Sequence, residues 1–271
     1  MTTVHTLETD GVQLHYEVRG DGPVLVLVGS PMAAVEFGSL AEAMAGEYTV
    51  VTHDPRGISG SVPADPDQDS TPELRAGDVV ALLDAVGAET ADVFGSSGGA
   101  VTGLALAARY PERVRTLVAH EAPVLELLPD ADEQRAIVDG IVETYRREGV
   151  MAAWQAFMKA FGVGGDDDQG PPPPSEESPE TLLENSRRFF LHEMRPTTRH
   201  VPDVAALRAG PVRVVVGVGA ESRPLTTYDT SVALGARLGV EPVEFPGQHI
   251  GFVDRTKEFA GVLRRVLRER A

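Results

Sequence analysis

The chain has 271 residues, 42% of them hydrophobic, with 24 Lys/Arg against 41 Asp/Glu for a formal charge of −17. Its length suits one large α/β domain with room for an inserted subdomain, and its charge repels a phosphate backbone, so nucleic-acid binding is not expected. The chain contains no cysteine, which excludes disulfides, thiolate nucleophiles and cysteine-ligated zinc.

Residues 4–8 and 12–18 alternate apolar and polar side chains around Asp10-Gly11, which predicts an antiparallel hairpin at a sheet edge. The pattern then changes to short apolar runs at 24–28, 48–52, 91–94, 114–119, 212–216 and 242–245, the signature of buried parallel strands. Helical stretches at 37–45, 71–86, 100–110, 227–238 and 256–268 separate most of them. Together they predict a mainly parallel, doubly wound α/β sheet with helices on both faces. The arginines of the last helix, Arg264, Arg265, Arg268 and Arg270, read as cations complementing a helix C-terminus rather than as a binding patch.

Residues 122–205 contain no clear strand; helical periodicity at 131–147, 149–161 and 179–194, with Trp154, Phe157, Phe161, Phe189 and Phe190, predicts a helical cap inserted in a core of residues 1–121 and 206–271. These aromatics are expected to serve mainly as the cap's own core, with some facing a substrate. Residues 164–178 are Asp- and Pro-rich and are expected to form a flexible loop. The adjacent carboxylates Asp166, Asp167 and Asp168 lack spaced ligands, so no metal is expected, and no cofactor either. The N-terminus lacks a basic stretch leading into an apolar core, and no apolar run approaches the length of a membrane span, so a cytoplasmic, membrane-free protein is expected.

Gly95-Ser96-Ser97-Gly98-Gly99 fits G-x-S-x-G, in which a serine sits on a strained strand-to-helix elbow, and here a strand-like run precedes it and a helical run follows. Ser97 is the candidate nucleophile. A serine hydroxyl is a weak nucleophile at neutral pH, so it needs a base within reach and a carboxylate to orient that base. Among the seven histidines, His5 and His15 lie in the edge hairpin, His53 and His120 at strands, and His192 and His200 in the expected cap. His249 remains, in a loop between the last strand and the last helix, where doubly wound sheets present catalytic groups.

The chain resembles the α/β-hydrolases over nearly its whole length, including esterase and haloperoxidase-like members. Besides the elbow and the His249 loop, Val28-Gly29-Ser30-Pro31 resembles the family's His-Gly-x-Pro turn, and residues 54–61, beginning Asp54-Pro55-Arg56-Gly57, resemble its D-x-R-G-x-G-x-S segment. The resemblance implies an eight-stranded sheet and an oxyanion hole made by the backbone amides of Ser30 and Gly98. It leaves two positions for the acid. The loop after 212–216, where the family usually carries Asp, offers Glu221 and Ser222, whereas some members place the acid after the preceding strand, which here ends at Glu121. Glu121 is preferred, because a carboxylate at a buried strand end asks for a reason.

The implied reaction is hydrolysis of a carboxylic ester, lactone or related acyl compound through an acyl-enzyme. Acyl transfer or cyclisation in biosynthesis, perhydrolysis, and a non-catalytic ligand-binding role are the alternatives. The expected partner is a small-molecule substrate, with a homodimer left open.

Overall fold

Two strands, β1 (Thr2–Thr9) and β2 (Val12–Arg19), form the edge hairpin in the computed structural model of the chain, which describes residues 1–162 and 177–269. Next come β3 (Val24–Val28), α1 (Gly38–Met44), β4 (Thr49–His53), a two-residue β5 (Val62–Pro63), α2 (Pro72–Ala85), β6 (Ala91–Ser96), α3 (Gly98–Arg109) and β7 (Val114–His120). After a long helical segment come β8 (Arg213–Gly219), α9 (Thr226–Leu238), β9 (Val243–Phe245), α10 (Gly251–Asp254) and α11 (Thr256–Arg268). The sheet order is β1-β2-β4-β3-β6-β7-β8-β9, antiparallel at β1/β2 and β2/β4 and parallel from β4 onward. The short β5 pairs with β2, a ninth strand that the sequence does not announce because two residues carry no periodicity.

The apolar runs form parallel strands because both faces of each are covered. In β3, Val26 and Val28 pack with α2 and α3 residues such as Leu82, Val101 and Leu104, while Leu25 and Leu27 pack on the other face with Phe37, Leu40, Phe259 and Leu263. Alternation by one residue thus sends successive side chains into two separate cores.

Between β7 and β8 lie α4 (Ala131–Glu148), α5 (Val150–Phe161), α6 (Pro179–Arg188), α7 (Met194–Thr198) and α8 (Val204–Ala209). Val138, Ile141, Val142, Phe161, Phe189, Phe190 and Met194 give this segment a third core. The sequence predicts one helix over 179–194; instead Phe189–Glu193 is a π-helical turn between α6 and α7. Such a turn adds a residue to the helical repeat and re-aims the side chains beyond it. Of the flexible loop expected at 164–178, all but Glu177 and Ser178 lies outside the described residues; Ser178 caps α6 by accepting from the Thr181 amide. Among the described residues no helix is long and apolar enough to cross a membrane.

Candidate active site

The strand β6 ends at Ser96 and α3 begins at Gly98, and Ser97 between them is held at φ 54°, ψ −126°. This left-handed conformation is unfavourable for a residue with a Cβ and persists only where its surroundings dictate it. The Ser97 amide donates to the His120 carbonyl at 3.0 Å, and the Ser97 carbonyl accepts from Ala100 at 2.9 Å. The glycines permit the sharp turn by close approach: a Cβ on Gly95 would lie 2.5 Å from the Gly99 carbonyl oxygen, and one on Gly99 would lie 2.0 Å from that of Val28. So α3 can begin directly against β3 and β6 only without side chains there.

Glu121 follows β7, fully buried, and also has positive φ, 51°. Its Oε1 accepts from the Gly219 amide at 2.7 Å, and its Oε2 accepts from the Thr227 hydroxyl at 2.9 Å and contacts His249 Nδ1 at 2.5 Å. Burial by itself pushes this carboxyl up. The hydrogen bond from His249, the fields of His120 and His249 and the nearby Ser222 hydroxyl outweigh it and hold the pKa at about 2. The carboxylate is thus ionised at neutral pH and fixes the His249 ring with Nδ1 as donor, which leaves Nε2 free to accept. The Ser222 hydroxyl is buried beside this carboxylate without reaching hydrogen-bonding geometry.

Ser97, His249, Ser30 and Gly98 all line one cavity of about 210 Å³. Among the described residues no hydrogen bond joins Ser97 Oγ to His249; such links commonly shorten when substrate arrives. Gly98 is the first residue of α3, where an amide has no partner within the helix and the helix dipole is positive. A Cβ on Gly98 would lie 2.5 Å from Ser30 Oγ, so the two halves of the candidate oxyanion hole touch. The rest of the wall is largely apolar, with Trp154, Phe157, Phe161, Phe189, Met32 and Met194. Trp154 and Phe189 stack at 5.4 Å with planes 9° apart. Phe190, by contrast, is fully buried in the core of the helical segment and does not line the cavity.

The other sequence candidates fall elsewhere. Glu221 is half exposed and pairs with Arg255 at 3.6 Å, away from His249. His53 and His120 are buried, and desolvation lowers the pKa of each to about 4, helped at His53 by the charge of Arg75. His192 and His200 contact Asp69 and Glu73 at 3.2 and 3.1 Å. In the D-x-R-G segment, Asp54 accepts from the Ala34 and Gly60 amides, and Arg56 forms a buried ion pair with Asp78 at 2.6 Å. These residues hold loops and do not line the cavity. Sequence reasoning missed Thr227 and the Gly219 amide as partners of the carboxylate, since neither residue type signals such a role. It also missed Glu193, whose buried side chain accepts a hydrogen bond from the Ser30 hydroxyl; a periodic helix over 179–194 gives no reason to single it out.

A serine on a strained strand-to-helix turn, a histidine loop and a buried carboxylate at the carboxyl ends of parallel strands resemble the arrangement of hydrolases built on a doubly wound sheet. Comparison with known proteins agrees. The family model described as alpha/beta hydrolase fold matches residues 22–151. An uncharacterized hydrolase of Bacillus subtilis (strain 168), YraK, is 33% identical over 271 residues, covering 97% of this chain and 95% of that one. The zearalenone hydrolase of Bionectria ochroleuca is 28% identical over 96% of each chain. The enol-lactonase from Burkholderia xenovorans LB400 shares the fold, with a TM-score of 0.71 at 20% identity over 98% of this chain and all of that one. The chain belongs to the α/β-hydrolase family, and it is an enzyme, a hydrolase.

Proposed function

We propose that the enzyme hydrolyses a carboxylic ester or lactone carrying an apolar group, using Ser97 as nucleophile, His249 as base and Glu121 as the acid that orients it. The observation that carries this reading is the 2.5 Å contact between His249 Nδ1 and the ionised, fully buried Glu121, on a histidine that shares its cavity with Ser97. His249 Nε2 takes the Ser97 proton as Oγ attacks the carbonyl carbon, and the resulting imidazolium is stabilised by Glu121. The amides of Ser30 and Gly98 hold the oxyanion, each donor worth roughly 10² to 10³ in rate. Collapse transfers the proton from His249 to the leaving oxygen and leaves Ser97 acylated. Water, deprotonated by His249, then attacks the acyl-enzyme and frees the acid, returning the proton to Ser97.

The stacked Trp154 and Phe189 with Phe157 and Met194 supply an apolar wall that favours a substrate with a hydrophobic body over a charged one. On this reading residues 122–205 act as a cap on a core of 1–121 and 206–271. The relatives named for zearalenone and enol-lactone hydrolysis support an ester or lactone as substrate. A panel of p-nitrophenyl esters of graded chain length together with lactones tests it. Wild-type protein should turn over apolar members and Ser97→Ala should fall to background with an unchanged circular dichroism spectrum. Turnover that survives in Ser97→Ala removes the reading.

A further inference from the structure

Behind the cavity wall, out of contact with its lumen, sits a buried cluster of charge that the mechanism above does not use. Glu193, at the end of the π-helical turn, is fully buried. Arg75 of α2 and Arg188 of α6 are each 2% exposed. Burial works against the charge of both arginines, and Glu193 is the strongest favourable charge acting on each. Buried charge of this kind is stabilised by opposite charge nearby, and here it acts through space: Glu193 Oε2 and Arg188 Nε and Nη2 make no hydrogen bond among the described residues.

This cluster reaches both halves of the candidate oxyanion hole. The Ser30 hydroxyl donates to Glu193 Oε1. On the other side, Arg75 Nε donates to the Thr102 hydroxyl at 2.9 Å, and that hydroxyl donates to the Gly98 carbonyl at 3.2 Å. Arg75 Nη2 also donates to Thr197, in the helical segment, at 2.9 Å. The loop carrying Ser30 is held further along by Asp54, whose carboxylate accepts from Ala34 at 2.9 Å. The Ser30 end therefore depends on a residue from the helical segment.

We infer that Glu193 is a positioning residue for the oxyanion hole: by accepting the Ser30 hydroxyl proton it fixes the Ser30 amide opposite Gly98, and so makes seating of the helical segment a condition of transition-state stabilisation. This rests on the reading of Ser30 and Gly98 as oxyanion donors. Charge alone would not favour a carboxylate beside an oxyanion, and Arg75 and Arg188 offset it. Tying up the Ser30 proton also leaves the backbone amide, rather than the hydroxyl, as the donor on that side.

Glu193→Ala removes the charge that most favours two buried arginines and can fail to fold, so the test uses Ser30→Ala, which removes only the hydroxyl, and Glu193→Gln, whose amide oxygen still accepts. Each single variant and the double variant are assayed on the best p-nitrophenyl ester, with affinity for a trifluoromethyl ketone of matching chain length as a second readout. Ser30→Ala should lower kcat by about tenfold with KM nearly unchanged, and weaken the ketone, which forms an oxyanion, by a similar factor. Glu193→Gln should cost less, and the double variant should be no worse than Ser30→Ala. Ser30→Ala with wild-type kcat and ketone affinity overturns the inference, as does a measurable Glu193→Gln loss that persists undiminished on top of Ser30→Ala. If instead wild-type activity does not depend on Ser97, the underlying hydrolytic reading fails, an outcome separable from either of these.

Discussion

Glu121 occupies a costly position for a carboxylate, fully buried with positive φ at the end of a central strand. Three hydrogen-bond partners, the Gly219 amide, the Thr227 hydroxyl and His249 Nδ1, offset that cost and hold the carboxyl ionised against the His249 ring. Glu121→Gln should therefore lower kcat by a factor on the order of 10⁴, as expected when the base loses its orienting anion, with KM changed far less. Glu221→Gln should leave kcat within about twofold, because an exposed ion pair with Arg255 contributes little. Steady-state kinetics on one ester decides between them, and equal losses in the two variants would contradict the assignment. At this scale the sequence is legible where a residue type carries the chemistry. Ser97 and His249 are such cases: the sequence puts both forward, and the structure brings both to the wall of one cavity. Glu121 is weighed against Glu221 because nothing in a run of letters shows which loop the histidine leans toward, and Thr227 is invisible because a threonine at a helix start is commonplace.

Among the elements, the elbow is the one whose geometry is most tightly dictated by sequence. Gly99 stands where α3 meets the end of β3, and an added Cβ would overlap the Val28 carbonyl oxygen at 2.0 Å, a backbone atom that cannot step aside. Gly99→Ala should thus destabilise the fold by about 2 kcal/mol or more, read as a lowered midpoint in urea with an unchanged slope. Gly77, in α2, has open space around its Cβ position, so Gly77→Ala should be neutral or stabilising. A Gly99→Ala variant as stable as wild type would contradict the packing described. The strands and helices of the core are legible within a few residues because buried parallel strands are short apolar runs and their helices carry clear stops, such as Pro111 after α3. The π-helical turn is not legible: α6 and α7 share one periodic pattern, and the turn carries Phe189 and Phe190, which pack on Trp154, a contact that sequence periodicity does not show. That turn is what delivers Glu193 to Ser30.

For the molecule as a whole, the buried titratable groups set how stability responds to acid. His53 and His120 bind protons near pH 6.5 when unfolded but only near pH 4 when folded, so the unfolded state takes up more protons in between. Their contribution is complete above about pH 6.5 and is lost as the pH falls toward 4. Glu121 adds a lower window: with a folded pKa of about 2 against 4.5 unfolded, its contribution is present above pH 4.5 and is lost as pH falls toward 2. The midpoint of thermal unfolding should therefore drop steadily from pH 7 to pH 4, and His120→Gln should make that drop shallower. A midpoint that is flat across this range would contradict the burial of neutral histidines. The layered architecture, with helices on both faces of the sheet and a separate core in the helical segment, follows from the alternation of apolar runs and helices, but which strands lie side by side is known only from the strand order.

The central claim is that Ser97 is a nucleophile activated through His249 by Glu121. Peptide mapping by mass spectrometry after exposure to a fluorophosphonate tests it most directly, with the rate of modification followed in the wild type and in Glu121→Gln. A single adduct should map to Ser97, and should form at least a hundredfold more slowly in Glu121→Gln. An adduct on another residue, or modification of Ser97 at the same rate in both proteins, would contradict it.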